Sequence, residues 1–157
     1  MTILSRMVNA ETVQKGKSLL AGKIGQKIAS TSFHLVDDAT RADGTACFPF
    51  DDEGVPTRCN QIISRGVLNH YLYDTYSAAR DGVTSTGNAR RASFRSLPGV
   101  GSSNFMVLPA ANSTESLIAG IGKGLYITEV MGMHTVNPIS GDFSVGAAGI
   151  MIENGVN

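Results

Sequence analysis

Two runs rich in β-forming residues, Thr57 to Ser64 and Val67 to Tyr73, meet at the dipeptide Arg65-Gly66. A two-residue connection ending in glycine between such runs specifies an antiparallel hairpin, because the tight mirror-image turn needs positive φ. Leu68, Tyr71 and Tyr73 give the returning strand apolar and aromatic bodies for a core. A second signal of this kind, Ile152-Glu153-Asn154-Gly155, is followed by only Val156 and Asn157. No returning strand follows that turn, so the expectation is an open sheet edge or a piece of a longer chain.

The rest of the sequence reads as short elements between glycines. Val13, Leu19 and Leu20 suggest a helix from Ala10 to Ala21, weakened by Gly16 at a cost of about 1 kcal/mol. Ile24, Ile28 and Ala29 suggest one more helical turn. Thr31 to Asp37 alternates like a strand, and Ala39 to Pro49 is a loop with Asp43-Gly44 as its turn. Asp51-Asp52-Glu53-Gly54 is an acidic turn. A short helix is expected over Asp74 to Arg80, and Val83 to Val100 is a long ordered loop of the kind that usually carries function. Asn104 to Leu108 is a strand, and Ser113 or Thr114 caps a helix over Leu117, Ile118 and Ile121. Strands from Leu125 to Met131 and from Phe143 to Glu153 flank an irregular loop, Gly132 to Gly141. These elements describe one α+β domain over residues 1–157, a mostly antiparallel twisted sheet with two or three helices and long loops.

Composition excludes several classes. Thirteen basic and thirteen acidic residues give a net charge of zero, so the basic footprint of a nucleic-acid binder is missing. Apolar residues make up 42%, enough for a core, while charged residues are only 17%. Eighteen glycines with so few charges imply many turns, or a surface meant to be covered by a partner. No apolar run approaches the ~20 residues of a membrane span, and the N-terminus has no signal-peptide pattern, so the cytoplasm is the expected compartment. Cys47 and Cys59 fit no metal spacing and read as half-buried thiols.

Hydrolytic chemistry finds little support in the residues. A zinc peptidase needs two histidines on one helix face with a carboxylate base, but no two of His34, His70 and His134 lie within five residues. Ser140, Asp142 and His134 could meet in one loop, without a nucleophile-elbow pattern to support a triad. His134 could brace its glycine-rich loop, or contact a peptide or a partner's cleft. Arg90-Arg91, near Arg80 and Arg95, could be solvated, could pair with Asp51-Asp52-Glu53, or could recognise a peptide carboxylate or an acidic partner surface. Gly99-Val100-Gly101 follows no strand and opens no helix, so it is not a dinucleotide loop. Asp37-Asp38 and Asp51-Asp52-Glu53 lack calcium-loop spacing and read as surface turns.

Five motifs occur in a fixed order: Asp51 to Thr57, Tyr71 to Asp74, Ser85 to Arg91, Met131 to Pro138, and Ser140 to Ser144. Together they resemble the C-terminal domain of the TldD/PmbA family, also named as modulators of DNA gyrase. The Met-Gly-Met-His-Thr-Val-Asn-Pro and Ser-Gly-Asp-Phe-Ser stretches look like its PmbA (TldE) branch. The resemblance runs from about Val13 to Gly155. It implies a two-domain protein of proteolysis and peptide maturation. The catalytic sibling, TldD, carries a His-Glu-x-x-x-His zinc motif that PmbA-type chains lack. For this chain the resemblance implies a non-catalytic scaffold that presents peptides, with no cofactor of its own and zinc in the sibling. The implied partners are a TldD-type catalytic subunit and unfolded or extended peptides, in a homo- or hetero-oligomer. Asn88, Arg90, Arg91, His134, Asn137 and Asp142 are the candidate substrate- or partner-binding residues, and none is assigned as catalytic or metal-binding. The resemblance implies a further N-terminal domain and a final segment outside residues 1–157, so truncation at both ends is expected. The alternative is a non-enzymatic binding module that regulates a partner such as DNA gyrase.

Overall fold

The computed structural model describes residues 2–155. Contacts divide the chain into two compact units, Met1–Leu108 and Pro109–Asn157, and each is described by itself.

The first unit is built around a four-stranded antiparallel sheet. Its strands are β1 (Leu35–Asp38), β2 (Cys59–Ser64), β3 (Val67–Leu68) and β6 (Phe105–Val107), in the order β3-β2-β1-β6. The hairpin expected at Arg65-Gly66 is β2–β3, with Ser64 opposite Val67. Arg65 and Gly66 take φ of 50° and 77°, as a mirror-image turn requires. Gly66 is also packed tightly: a Cβ there would lie 2.3 Å from the Ala29 carbonyl oxygen. β1 is the central strand, and Leu35, Val36 and Asp37 are buried in succession.

Two short helices, α1 (Thr2–Met7) and α2 (Ala10–Gln14), stand in place of the single helix expected over Ala10 to Ala21. The helix stops at Lys15, and residues 15–22 continue as turns. No helical turn forms at Ile24 to Ala29. Lys27 instead bridges Val67, and the Ile28 amide donates to the Gly66 carbonyl at 2.8 Å. Backbone pairing across Val8, Ala10 and Leu72 ties these helices to the segment that follows β3. Met7, Val8, Leu20, Leu35, Ile62 and Leu68 form the core with Tyr71, Leu72 and Tyr73. Full burial of each aliphatic side chain contributes about 1.5–3 kcal/mol.

Helix α3 (Thr75–Asp81) forms where expected because Asp74 caps it with a reciprocal capping box: Asp74 accepts from the Ser77 amide, and Ser77 Oγ accepts from the Asp74 amide. The long segment after α3 is ordered by one small ladder, β4 (Ala89–Arg90) against β5 (Gly99–Val100).

The second unit contains α4 (Thr114–Ala119), capped by Ser113, and a long antiparallel ribbon of β7 (Lys123–Met131) and β8 (Gly146–Glu153). A 3-10 turn at Met133–Thr135 opens the connecting loop. Asn154 and Gly155 adopt positive φ of 52° and 77°, the turn geometry their sequence signals. Their amides donate back to the Gly122 and Ile121 carbonyls at 2.7 and 2.9 Å. The Asn-Gly signal thus fits the turn itself, while Val156 and Asn157, where a returning strand would begin, lie outside the described residues.

The ribbon is apolar on both faces. Leu125 and Tyr126 project to opposite sides and are 50% and 40% exposed, and so do Ile150 and Met151, at 47% and 55%. The α+β class and antiparallel pairing agree with the sequence reading; four α-helices form among the described residues, rather than two or three.

Gly66→Ala should destabilise the first unit by at least about 2 kcal/mol, since the added Cβ meets backbone and the left-handed φ is kept. Urea unfolding followed by circular dichroism measures the loss.

Candidate functional site

The segment 85–91 is held from below by a buried polar network. Asn88 is 1% exposed and Asp37 is 1% exposed. Asn88 Nδ2 donates to Asp37 Oδ2 at 2.6 Å and to the Gly101 carbonyl at 3.0 Å. Asn88 Oδ1 accepts from Asn60 Nδ2 at 3.1 Å and from Thr86 Oγ1 at 2.7 Å. Ser103 gives Asp37 two more bonds, from its amide at 2.7 Å and its hydroxyl at 3.0 Å. Burial pushes the Asp37 carboxyl above its ordinary value of 3.8, against the lowering effect of the Asn88 and Ser103 bonds and the Arg90 charge. Asp37 is therefore not part of a surface turn, as its sequence context suggested.

The acidic turn is also partly internal. Asp51 is 6% exposed and accepts from the amides of Glu53, Val55 and Ala89 at 3.0, 2.9 and 3.0 Å. Asp52 accepts from the Arg91 amide at 2.6 Å. The turn thus fixes the backbone of residues 89–91. The guanidinium pairing considered for it does not form: the ion pairs among the described residues are Lys15 with Glu11 and Arg41 with Asp43.

Arg90 and Arg91 differ in setting. The Arg90 guanidinium carbon lies 4.7 Å from the centre of the Phe48 ring, a cation–π contact. Its stem packs on Gly101, where a Cβ would come 2.7 Å from Arg90 Cγ. Arg90 Nη2 is buried with no hydrogen-bond partner among the described residues. Arg91 is exposed, and its Nη1 donates to the Ser96 carbonyl at 2.6 Å.

His134, Asn137 and Asp142 belong to the second unit and are all exposed. Asn137 Oδ1 accepts from the Ile139 amide at 2.9 Å, and the Asn137 amide donates to the Asp142 carbonyl at 2.9 Å. The Asp142 amide donates to Ser140 Oγ at 3.3 Å. These bonds shape the loop through backbone groups, and no Ser-His-Asp relay forms among the described residues. Among the described residues, no group of three or more His, Cys, Asp or Glu is placed to hold a metal. Both cysteines are exposed and free, not half-buried. Partial desolvation by its neighbours, followed by the charge and hydrogen bond of Asp38, raises the Cys59 thiol pKa even at this exposed position, which works against thiolate chemistry. No helix among the described residues is long and apolar enough to cross a membrane.

Asp37, Asn60 and Ser103 were missed by sequence reasoning. One signal was present: Asn60 shares the strand face of Ile62 by the two-residue period, a polar side chain at an inward position.

An α+β unit with a buried Asp–Asn network, joined in sequence to an apolar ribbon, matches known proteins along its length. The chain belongs to the PmbA/TldA metallopeptidase C-terminal domain family, whose sequence profile matches residues 1–157. It is 38% identical to the metalloprotease TldD homologue of Haemophilus influenzae over 72% of this chain and 23% of that protein. It is 34% identical to the metalloprotease PmbA of Escherichia coli O157:H7 over 92% of this chain and 30% of that protein. A crystal structure from Thermotoga maritima, described as a modulator of a DNA gyrase, superposes with a TM-score of 0.87 at 36% identity, covering 99% of this chain and 36% of that one. The chain thus spans about a quarter to a third of the length of the curated relatives it matches.

Asn88→Ala should cost about 2–3 kcal/mol, because it strips a buried carboxylate of a donor and leaves Asn60 with one acceptor fewer. The pH dependence adds a sign. The folded state holds the Asp37 proton more tightly than the unfolded chain, so its contribution falls as pH rises above 3.8 through the raised folded value. Unfolding free energies across that range should show wild type losing stability relative to Asp37→Asn as pH rises.

Proposed function

We propose that the chain acts as a PmbA-type, non-catalytic partner of a TldD-type zinc peptidase in proteolysis and peptide maturation. It scaffolds the assembly and presents extended peptides. The observation that carries this reading is the β7–β8 ribbon, whose two faces both expose large apolar side chains. Monomeric surfaces seldom leave contiguous apolar area of this kind uncovered, and an assembly provides the cover.

Peptide presentation has a physical basis in the first unit. β6 is an edge strand of the four-stranded sheet, and an edge strand can take an extended peptide by main-chain hydrogen bonds with little sequence specificity. Arg91 and the exposed loop residues His134, Asn137 and Asp142 are the side chains we assign to partner or peptide contact. Asn88 and Arg90 hold the backbone beside Arg91 in place within the first unit. The peptide bond itself would be cleaved by the sibling's zinc centre.

Sedimentation velocity of the chain with a TldD-type subunit should show a stable complex. Val130→Glu with Met151→Glu, placed on exposed ribbon positions, should weaken that complex by about tenfold or more while leaving the circular dichroism of the chain unchanged. Absence of a complex, or one indifferent to both charges, contradicts the reading.

A further inference from the structure

The first unit contains an open cleft of about 500 Å³, within the usual range of ligand sites of ~300–1,000 Å³. No function assigned above uses this cleft. Its polar groups include those of Arg58, Asn60, Asn69, His70 and Thr84, and Ile24 and Val83 supply apolar surface. No Asp or Glu lines it.

The polar groups are fixed and partly unsatisfied. Asn60 is 5% exposed. Its Nδ2 donates to the Thr86 carbonyl and to Asn88 Oδ1, both at 3.1 Å, and these two acceptors set the orientation of the amide. Its Oδ1 then accepts no hydrogen bond among the described residues. Arg58 Nη2 donates to the carbonyl of buried Ser85, which anchors the guanidinium and leaves its other donors open. His70 Nδ1 faces the Tyr71 carbonyl at 3.1 Å. That bond places the proton on Nδ1 and leaves Nε2 open.

We propose that this cleft binds the C-terminal residue of a peptide, with Arg58 on the carboxylate and Asn60 Oδ1 accepting the last amide N–H. A guanidinium suits a carboxylate through its fork of parallel donors. The neighbouring bare acceptor disfavours a fully ionised phosphate ester, whose oxygens only accept, and favours a ligand carrying an N–H beside its anionic group. Ile24 and Val83 offer the last side chain an apolar wall, and both are about half exposed in the free chain, at 48% and 49%. The choice of a peptide rests on the assembly reading; the arrangement of donors and acceptor does not.

The test titrates the full chain with three probes and no partner subunit, so its failure is separate from failure of the sedimentation experiment. The probes are acetyl-alanyl-leucine with a free carboxylate, the same peptide as its C-terminal amide, and acetyl-aspartyl-leucine amide, which carries only a side-chain carboxylate. The free acid should bind saturably, and both amides about tenfold or more weaker, as expected for losing a charged hydrogen bond. Arg58→Gln should weaken the free acid by a similar factor. NMR shifts on wild type should centre on Arg58, Asn60, His70 and Thr84, which decides the matter even if the variant misfolds. No saturable binding, equal binding of acid and amide, an aspartyl amide as tight as the free acid, an unaffected folded Arg58→Gln, or shifts centred elsewhere would each overturn the proposal.

Discussion

The bond between Asn88 and Asp37 is the constraint on which the first unit depends. Asp37 sits on the central strand with almost no solvent contact. A bare carboxylate there would cost several kcal/mol, and the cost is offset only if donors arrive from elsewhere in the chain. Asn88 and Ser103 bring them from 51 and 66 residues away. The strand centre, the 85–91 segment and the approach to β6 must therefore fold together. Asn60 extends the same network, and its leftover oxygen is one result of it. Hydrogen bonds internal to the fold thus determine which polar atoms remain for a ligand.

The acidic turn repeats this logic at smaller scale. Asp51 and Asp52 spend their oxygens on main-chain amides, including those of Ala89 and Arg91. A sequence reader sees two acids and two arginines and pairs their charges. The structure satisfies backbone donors instead, which carry the stricter requirement once buried. Arg90 then stacks under Phe48, and Arg58 is the arginine presented to a cleft.

Local chemistry made much of the fold legible. The β2–β3 hairpin follows from Arg65-Gly66, α3 from the Asp74 capping box, and α4 from Ser113, each decided within four residues of sequence. The helix expected over Ala10 to Ala21 failed because three apolar positions cannot outweigh the Lys15–Gly16 break once Tyr71 reaches the Leu20 carbonyl at 2.6 Å and sets the path of residues 15–22. The β4–β5 ladder was invisible because its strands are two residues each and its anchors are distant. The family motifs pointed to Asn88 and Arg90, though not to their partners Asp37 and Phe48, since tertiary pairing leaves no periodic trace. The ribbon was legible as strands, but its exposure on both faces appears only when the two strands are paired.

The two units divide the work in this account. The first, stiffened by its buried network, offers the edge strand and the cleft. The second, on the proposed reading, offers the apolar ribbon to a TldD-type subunit. Amide hydrogen exchange of the chain alone and with that subunit tests this division most directly. The account predicts protection gained along residues 123–131 and 146–153, while residues 35–38 and 88–90 exchange slowly in both states. Protection gained only in the first unit, or no change anywhere, would contradict it.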